Sequence, residues 1–403
     1  MIDNRTGATL SLRVYDEDVN AFNLPSVPSP WVKLANPTQG TNGFAYSLFL
    51  NEFDGEIVIA YRGTDAVMGW DGITDAALFL GFATSQALQA AKVYVRVLSD
   101  YGSDTKVTFT GHSLGGGLAS MMAVWFDRPA IVFDSAPSEA AATRRDVIEW
   151  VKRGLGAPIP TALDAFNPAT DLVKRESQIT NHYATGEFLK ELTLRSATTG
   201  LYALPEVPLA FGDQRVSMFT MHSQALLTAG LLTPAFATAA SRVQAALPLI
   251  MSAQYYSPDT DGLGTRNFLL DLIRSEQASP GNGKLTHFAA DLNKLGNNLA
   301  GLSAAAQDAL VAQAIEWYYW QGKNYSGQQF IQAAGGLLQY ATATASGLTG
   351  AEDRATVYVK SWLDEASEAH GTAGIGTRYD EWNLAVTMRW RSQSRLRSEG
   401  VSR

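Results

Sequence analysis

The stretch Thr110-Gly111-His112-Ser113-Leu114-Gly115-Gly116-Gly117-Leu118-Ala119 follows the β-branched run Val107-Thr108-Phe109 and runs into Leu118-Ala119-Ser120-Met121-Met122-Ala123-Val124-Trp125, a helix-forming segment. The spacing predicts a strand, a tight turn and a helix, with Gly-x-Ser-x-Gly in the turn. Such a turn presents a serine hydroxyl at its tip. Residues two before and two after it must lack bulk, because the backbones of strand and helix nearly touch there. Gly111 and Gly115 meet that requirement. The helix beginning just past Ser113 points its first N–H groups at the same spot, where negative charge on an oxygen would be stabilised. A bare Gly-x-Ser-x-Gly also occurs in ordinary glycine-rich turns, so its weight comes from the surrounding text.

The chain has 403 residues, 46% hydrophobic and 17% charged, with a formal net charge of −8. This is the composition of a folded chain with an ample core, and its acidity argues against nucleic acid as a partner. Cysteine is absent, which removes disulfides, thiol catalysis and cysteine-zinc sites together. The start, Met1-Ile2-Asp3-Asn4-Arg5, lacks the basic-then-apolar pattern of a signal peptide, so the expected location is the cytoplasm or export by a leaderless route. The segment from Ala76 to Ala91 carries no charge but is interrupted by Thr84, Ser85, Gln86 and Gln89, and reads as a buried helix, not a membrane span.

Residues 1–55 read as largely irregular, with Leu10 to Tyr15 as a strand or short helix and Gly43 to Leu50 as a strand. Asp54-Gly55 predicts a hairpin turn into the apolar strand Glu56-Ile57-Val58-Ile59-Ala60-Tyr61. A helix over about Ser85 to Asp100 then leads through Gly102-Ser103-Asp104 to the strand before Ser113. Two strands joined by a helical crossover lie parallel in one sheet.

Three segments together, Ile57-Val58-Ile59-Ala60-Tyr61-Arg62-Gly63-Thr64, Trp70-Asp71 with Asp75, and Thr110-Gly111-His112-Ser113-Leu114-Gly115-Gly116, resemble the class 3 lipases, a branch of the α/β-hydrolases. The resemblance covers roughly residues 43–135 and scattered positions to about 235. It implies an α/β-hydrolase with a mostly parallel central sheet. It also implies that Thr64 and the backbone N–H of Leu114 form an oxyanion hole, that Ser113 is the nucleophile, and that neither metal nor organic cofactor takes part.

A hydrolytic serine needs a base to take its proton. Of the five histidines, His112 adjoins Ser113 and cannot turn back onto it, while His287 and His370 lie far downstream in helical text. In α/β-hydrolases the order is serine, acid, histidine. His222, where a polar loop passes into an apolar helix, suits the last place, and its setting is similar to the histidine segment of large bacterial members of the family. His182, in a predicted strand, is the rival. The acid must lie between. Glu187, after the predicted strand Gln178 to Ala184, stands where the family usually has aspartate; Asp171 and Asp213 are alternatives. Asp134 ends the strand Ala130-Ile131-Val132-Phe133 and comes one strand early for this topology, though some hydrolases do place an acid there.

The expected organisation is a catalytic domain over 1–235, with an insertion and possible lid at 135–177, and a helical C-terminal region over 236–403. That region includes an aromatic cluster, Trp317-Tyr318-Tyr319-Trp320, and an arginine-rich end, Arg389 to Arg403. The expected function is a serine carboxylester hydrolase acting on lipid esters as a triacylglycerol lipase or esterase. Two other readings stand beside it: a phospholipase A serving as a membrane-directed toxin, and a non-catalytic binding module on a hydrolase fold. The expected partners are the ester substrate, a transient lipid interface and a protein held through the C-terminal helical region.

Overall fold

A computed structural model of the chain describes residues 2–15, 24–34, 43–63, 76–190, 205–212, 216–252, 257–258, 265–297 and 299, with positions 304, 307, 308, 311, 312 and 315. The aromatic cluster at 317–320, the arginine-rich end, Thr64 and Asp213 lie outside the described residues. Contacts divide the chain into two units, Met1–Ala290 and Asp291–Arg403.

In chain order the elements are α1 (Asn4–Arg13), β1 (Trp31–Lys33), β2 (Tyr46–Asn51), β3 (Ile57–Tyr61), α2 (Ala76–Tyr101), β4 (Val107–His112), α3 (Leu114–Phe126) and β5 (Ala130–Phe133). Then come α4 (Glu139–Thr143), α5 (Arg145–Leu155), α6 (Thr161–Asp164), α7 (Pro168–Glu176), β6 (Ile179–Ala184) and β7 (Glu206–Leu209). They are followed by α8 (Met218–Met221), α9 (Gln224–Leu232), α10 (Pro234–Arg242), α11 (Ala246–Ile250), the short pair β8 (Ser257–Pro258) and β9 (Thr265–Arg266), α12 (Phe268–Ala278) and α13 (Lys284–Asn297).

The central sheet has seven strands in the order β1-β2-β3-β4-β5-β6-β7. The β1–β2 and β2–β3 pairs are antiparallel, and β3 to β7 run parallel. The hairpin turn between β2 and β3 forms at Asp54-Gly55, where Gly55 takes φ +71° and Asp54 Oδ1 accepts the Glu56 N–H at 3.1 Å. The chain is thus an α/β protein with a mostly parallel sheet and a helical region after it.

Strand order explains the layering. Each crossover from β3 to β6 steps in the same direction, and right-handed crossovers then place their helices on one face. On that face α2 and α3 meet β4: Tyr94 packs on Phe109 and Phe126 with ring centroids 5.6 and 4.1 Å away. The 135–177 segment folds as α4 to α7, and Ala142, Val147, Ile148, Val151, Leu163 and Phe166 join the same core. Trp125 is fully buried there and donates its indole N–H to the Ala142 carbonyl at 2.9 Å.

The other face is covered by α1 and α9, which hold each other through the Gln224 side chain donating to the Ala8 carbonyl at 2.9 Å. Alternation along β4 follows: Phe109 faces α2 and α3, whereas Thr110 and His112 face α1, Thr110 Oγ1 approaching the Gly7 carbonyl at 3.4 Å. The N-terminus is therefore a regular helix where irregular chain was expected. Asp3 caps it, accepting the N–H groups of Arg5 and Thr6 at 2.9 Å each. Its polar text hides a buried face that includes Leu10 and Leu12, both fully buried.

Two other boundaries differ from expectation. Helix α2 runs from Ala76 to Tyr101, so the helical stretches expected at Ala76 to Ala91 and at Ser85 to Asp100 form one helix. At the start of the region expected to be helical, the chain forms two short helices, α10 and α11, where one continuous helix over Phe236 to Met251 is the reading of the sequence. Pro248 cannot donate to the Gln244 carbonyl, so the new helix begins where Pro248 falls in its first turn and its missing N–H has no intrahelical partner to lose. Among the described residues no helix is long and apolar enough to cross a membrane.

Candidate active site

Ser113 is a non-glycine residue with φ 58° and ψ −126°, between the last residue of β4 and the first of α3. This strained backbone turns the chain from strand to helix within one residue. Its own amide donates to the Phe133 carbonyl at 3.0 Å, and its carbonyl accepts the N–H groups of Ala136 and Gly117 at 3.0 and 3.1 Å. The flanking glycines have steric reasons. A Cβ on Gly115 would lie 2.1 Å from the Tyr61 carbonyl oxygen, and one on Gly111 2.4 Å from the Gly115 oxygen. Gly63, at the end of β3, packs directly on the turn: a Cβ there would come 3.1 Å from Ser113 Cβ and 2.8 Å from the Tyr15 hydroxyl. The residue after Gly63, Thr64, lies outside the described residues. Leu114 opens α3, so its N–H is among the donors that an α-helix leaves without intrahelical partners.

His222 ends α8 and Ser223 caps α9. Its imidazole is buried between Phe188, whose ring stands edge-on at 4.6 Å, and His112, at 4.7 Å. Nδ1 lies 2.8 Å from Glu187 Oε2. Nε2 makes no hydrogen bond among the described residues. A buried polar atom left without a partner is costly unless a reactant supplies one.

Glu187 follows Gly186, which takes φ +83° just beyond β6. Its carboxylate caps the short turn that follows, accepting the N–H groups of Leu189 at 2.8 Å and Lys190 at 2.5 Å. Asp171, an alternative acid on sequence grounds, is engaged locally in α7. It accepts the Asn167 N–H at 3.0 Å and the Thr170 hydroxyl at 2.8 Å, and faces Arg175 at 3.8 Å. Asp213, the other, lies outside the described residues. His182 is buried in β6, stacks on Phe133 at 5.7 Å and has neither ring nitrogen hydrogen-bonded.

The fold brings in residues that strand order alone sets aside. Asp134 lies buried immediately after β5 with its Oδ2 3.7 Å from His222 Nδ1 and 3.8 Å from His112 Nε2. Its backbone is left-handed, φ 41°, and its Oδ1 accepts the Ala184 N–H at 2.9 Å. His112 Nδ1 is 3.1 Å from the Tyr15 hydroxyl. The only local sign of this grouping is an aspartate at a strand end; that β5 and β6 are neighbours is not visible locally.

Burial sets the protonation of the cluster. It pushes the His222 imidazole down to about 3, His182 to about 4, and His112 well below its usual range with help from His222. Burial raises Glu187 to about 7 against the pull of its two backbone donors and Lys190. Asp134 is raised well above the carboxylate range by burial and by the Glu187 charge. Neutral imidazoles and a single shared carboxylate charge are the state this gives. One nitrogen or oxygen from each of His112, Asp134 and His222 lies within 4.8 Å of the others, a spacing able to hold a cation. With the Nδ1 of His222 as ligand, such an ion would compete with Glu187 for it.

The family model described as the Tle-like phospholipase domain matches residues 8–223, more than half of the chain. Two curated relatives are the candidate lipases ATG15 of two fungi. That of Eremothecium gossypii is 45% identical over 53 residues, 13% of this chain and 9% of that protein. That of Vanderwaltozyma polyspora is 25% identical over 185 residues, 35% of this chain and 31% of that protein. The chain therefore spans less than a third of the length of either. Among solved structures, the Lip2 lipase from Yarrowia lipolytica is 12% identical, with 54% of this chain and 80% of that chain covered and a TM-score of 0.32. A triacylglycerol lipase from Penicillium expansum gives 13% identity, 53% and 78% coverage, and a TM-score of 0.29.

Proposed function

The chain belongs to the Tle-like phospholipase domain family, a lipase-like group of carboxylic ester hydrolases, and we propose that it cleaves the acyl esters of phospholipids through a Ser113–His222–Glu187 triad. The single observation that carries the triad is the 2.8 Å contact between His222 Nδ1 and Glu187 Oε2, with the other ring nitrogen buried and without a partner among the described residues.

In this mechanism Ser113 Oγ attacks the ester carbonyl carbon while His222 Nε2 takes its proton. The imidazolium so formed is stabilised through Nδ1–H by the Glu187 carboxylate. The oxyanion is received by the Leu114 N–H and by Thr64, which adjoins Gly63 in the chain. Collapse expels the alcohol, protonated from Nε2, and leaves an acyl-enzyme. Water then repeats the sequence, with His222 again as base, and releases the fatty acid. An imidazole neutral at rest has its Nε2 lone pair free to take the proton; burial disfavours the imidazolium, so the Glu187 charge at Nδ1 is what stabilises it, and a dry site strengthens that contact.

The test is fatty-acid release from phosphatidylcholine vesicles and from triglyceride emulsion, with Ser113→Ala as control. Release from vesicles that disappears in the variant is the expected result. Release from emulsion alone would replace phospholipid by triacylglycerol as substrate. Equal release by the variant would remove Ser113 from the chemistry. Because phospholipid is met as a membrane, the same activity would suit a membrane-directed toxin. Growth arrest on periplasmic but not cytosolic expression supports that reading, and its absence sinks it.

A further inference from the structure

His222 Nδ1 faces two buried carboxyls, not one. Glu187 Oε2 is at 2.8 Å and Asp134 Oδ2 at 3.7 Å. They arrive from different strands: Glu187 beyond β6, Asp134 directly after β5. Asp134 reaches this position through a left-handed backbone, φ 41°, which costs a non-glycine residue energy. Strain of this kind persists where the surroundings hold it, and here the Asp134 N–H donates to the His182 carbonyl at 2.8 Å while Oδ1 accepts the Ala184 N–H. The remaining oxygen, Oδ2, is buried and has no hydrogen-bond partner among the described residues, as is true of His112 Nε2, 3.8 Å away.

We propose that Asp134 is a positioning residue for His222, the second member of a carboxyl pair that shares one negative charge around Nδ1. This rests on the triad reading above. The donors decide which member holds the charge. Glu187 accepts two backbone N–H groups and has Lys190 nearby; Asp134 accepts one N–H. In the resting enzyme Glu187 is the anion and Asp134 keeps a proton. That proton sits on Oδ2, facing the lone pair of His112 Nε2, and His112 Nδ1–H then donates to the Tyr15 hydroxyl. Among the described residues the titratable groups bearing on the pair are His222, His112, Tyr15 and Lys190. With Glu187 replaced by glutamine, Asp134 no longer faces a like charge, and once ionised at higher pH it accepts the Nδ1–H of His222 instead.

The experiment compares Glu187→Gln, Asp134→Asn and the double variant, using a soluble short-chain ester across pH and Ser113 labelling by a fluorophosphonate. Asp134→Asn, which keeps a neutral side chain beside Nδ1 but turns an amide toward it, lowers kcat several-fold at neutral pH, less than Glu187→Gln does. Glu187→Gln falls by roughly 10–100-fold and gains a new rising limb from Asp134 ionisation, whereas the double variant falls by the roughly 10⁴-fold of a triad without its acid. Equal losses in Glu187→Gln and the double variant overturn the proposal. So does a loss in Asp134→Asn as large as that in Glu187→Gln. A second readout does not depend on turnover: the downfield proton resonance of His222 Nδ1–H persists in Glu187→Gln and vanishes in the double variant. If wild type neither turns over ester nor labels, the triad reading fails, and that resonance still decides on Asp134.

Discussion

The imidazole of His222 and the carboxylate of Glu187 meet at 2.8 Å across 35 positions of chain, and neither is placed by its own immediate neighbours alone. Glu187 is aimed by the end of β6 and by the turn it caps. His222 is aimed by the junction of α8 and α9, with Phe188 packed against the ring. Their meeting depends on α9 lying over the sheet.

The contact predicts a pH profile of unusual origin. Burial holds His222 neutral down to about 3 and raises Glu187 to about 7. Above about 7 Glu187 carries the charge that the imidazolium needs; as pH falls through about 7 that charge is lost. Log kcat/KM should therefore drop with unit slope below pH about 7, with the limb displaced in Glu187→Gln. A limb unchanged in that variant assigns the titration to an imidazole instead.

Under the proposed mechanism, His222→Asn removes the base while sparing volume. Turnover should fall by roughly 10⁴-fold or more, with fluorophosphonate labelling of Ser113 slowed to match, while near-UV circular dichroism stays that of the native protein. Retention of more than a tenth of the rate would point to His182 as the base.

The turn at Ser113 tolerates no side chain two residues on. A Cβ at Gly115 would sit 2.1 Å from the Tyr61 carbonyl, a backbone atom of a buried central strand. Gly115→Ala should cost more than about 3 kcal/mol and abolish soluble expression or labelling. The matched control is Gly43→Ala, where φ is +72° but the space is open, with an expected cost of about 1 kcal/mol. Equal effects of the two would show that contact with β3 is not what demands glycine at 115.

A buried carboxyl away from the site predicts a stability change. Glu176 ends α7, is buried, leaves Oε2 without a partner and is raised to about 7 by burial and by Glu139. A carboxyl raised on folding is protonated more readily in the native state, so its stabilising share is present at acid pH and is lost as pH rises from the unfolded value to about 7. Glu176→Gln should raise Tm at pH 8 by about 2–4 °C, the shift that about 1 kcal/mol produces in a domain of this size, and change little at pH 4. A lower Tm at pH 8 would contradict it.

Part of the fold and of the site is legible in the amino-acid order alone. The strand, the turn and the helix around Ser113 follow from β-branched residues, glycines and helix formers in immediate succession, because each acts over a few bonds. The parallel pairing of β3 with β4 follows from one helical crossover. Helix α1 is not legible in this way, since its buried face mixes Leu10 and Leu12 with Gly7, Ala8, Thr9 and Ser11, in no clear apolar stripe, and is recognised only by what it packs against. The same limit applies to the acids. Glu187, Asp171 and Asp213 are equivalent as letters in a loop or helix, and Asp134 is set aside by strand order. Packing β5 beside β6, and turning Asp134 through a left-handed backbone, brings two of those carboxyls to one imidazole and leaves Asp171 bonded within α7. Local conformation is written in short-range sterics, whereas the carboxyls around His222 are selected by contacts between strands and helices distant in the chain, and those exist only once the sheet has formed.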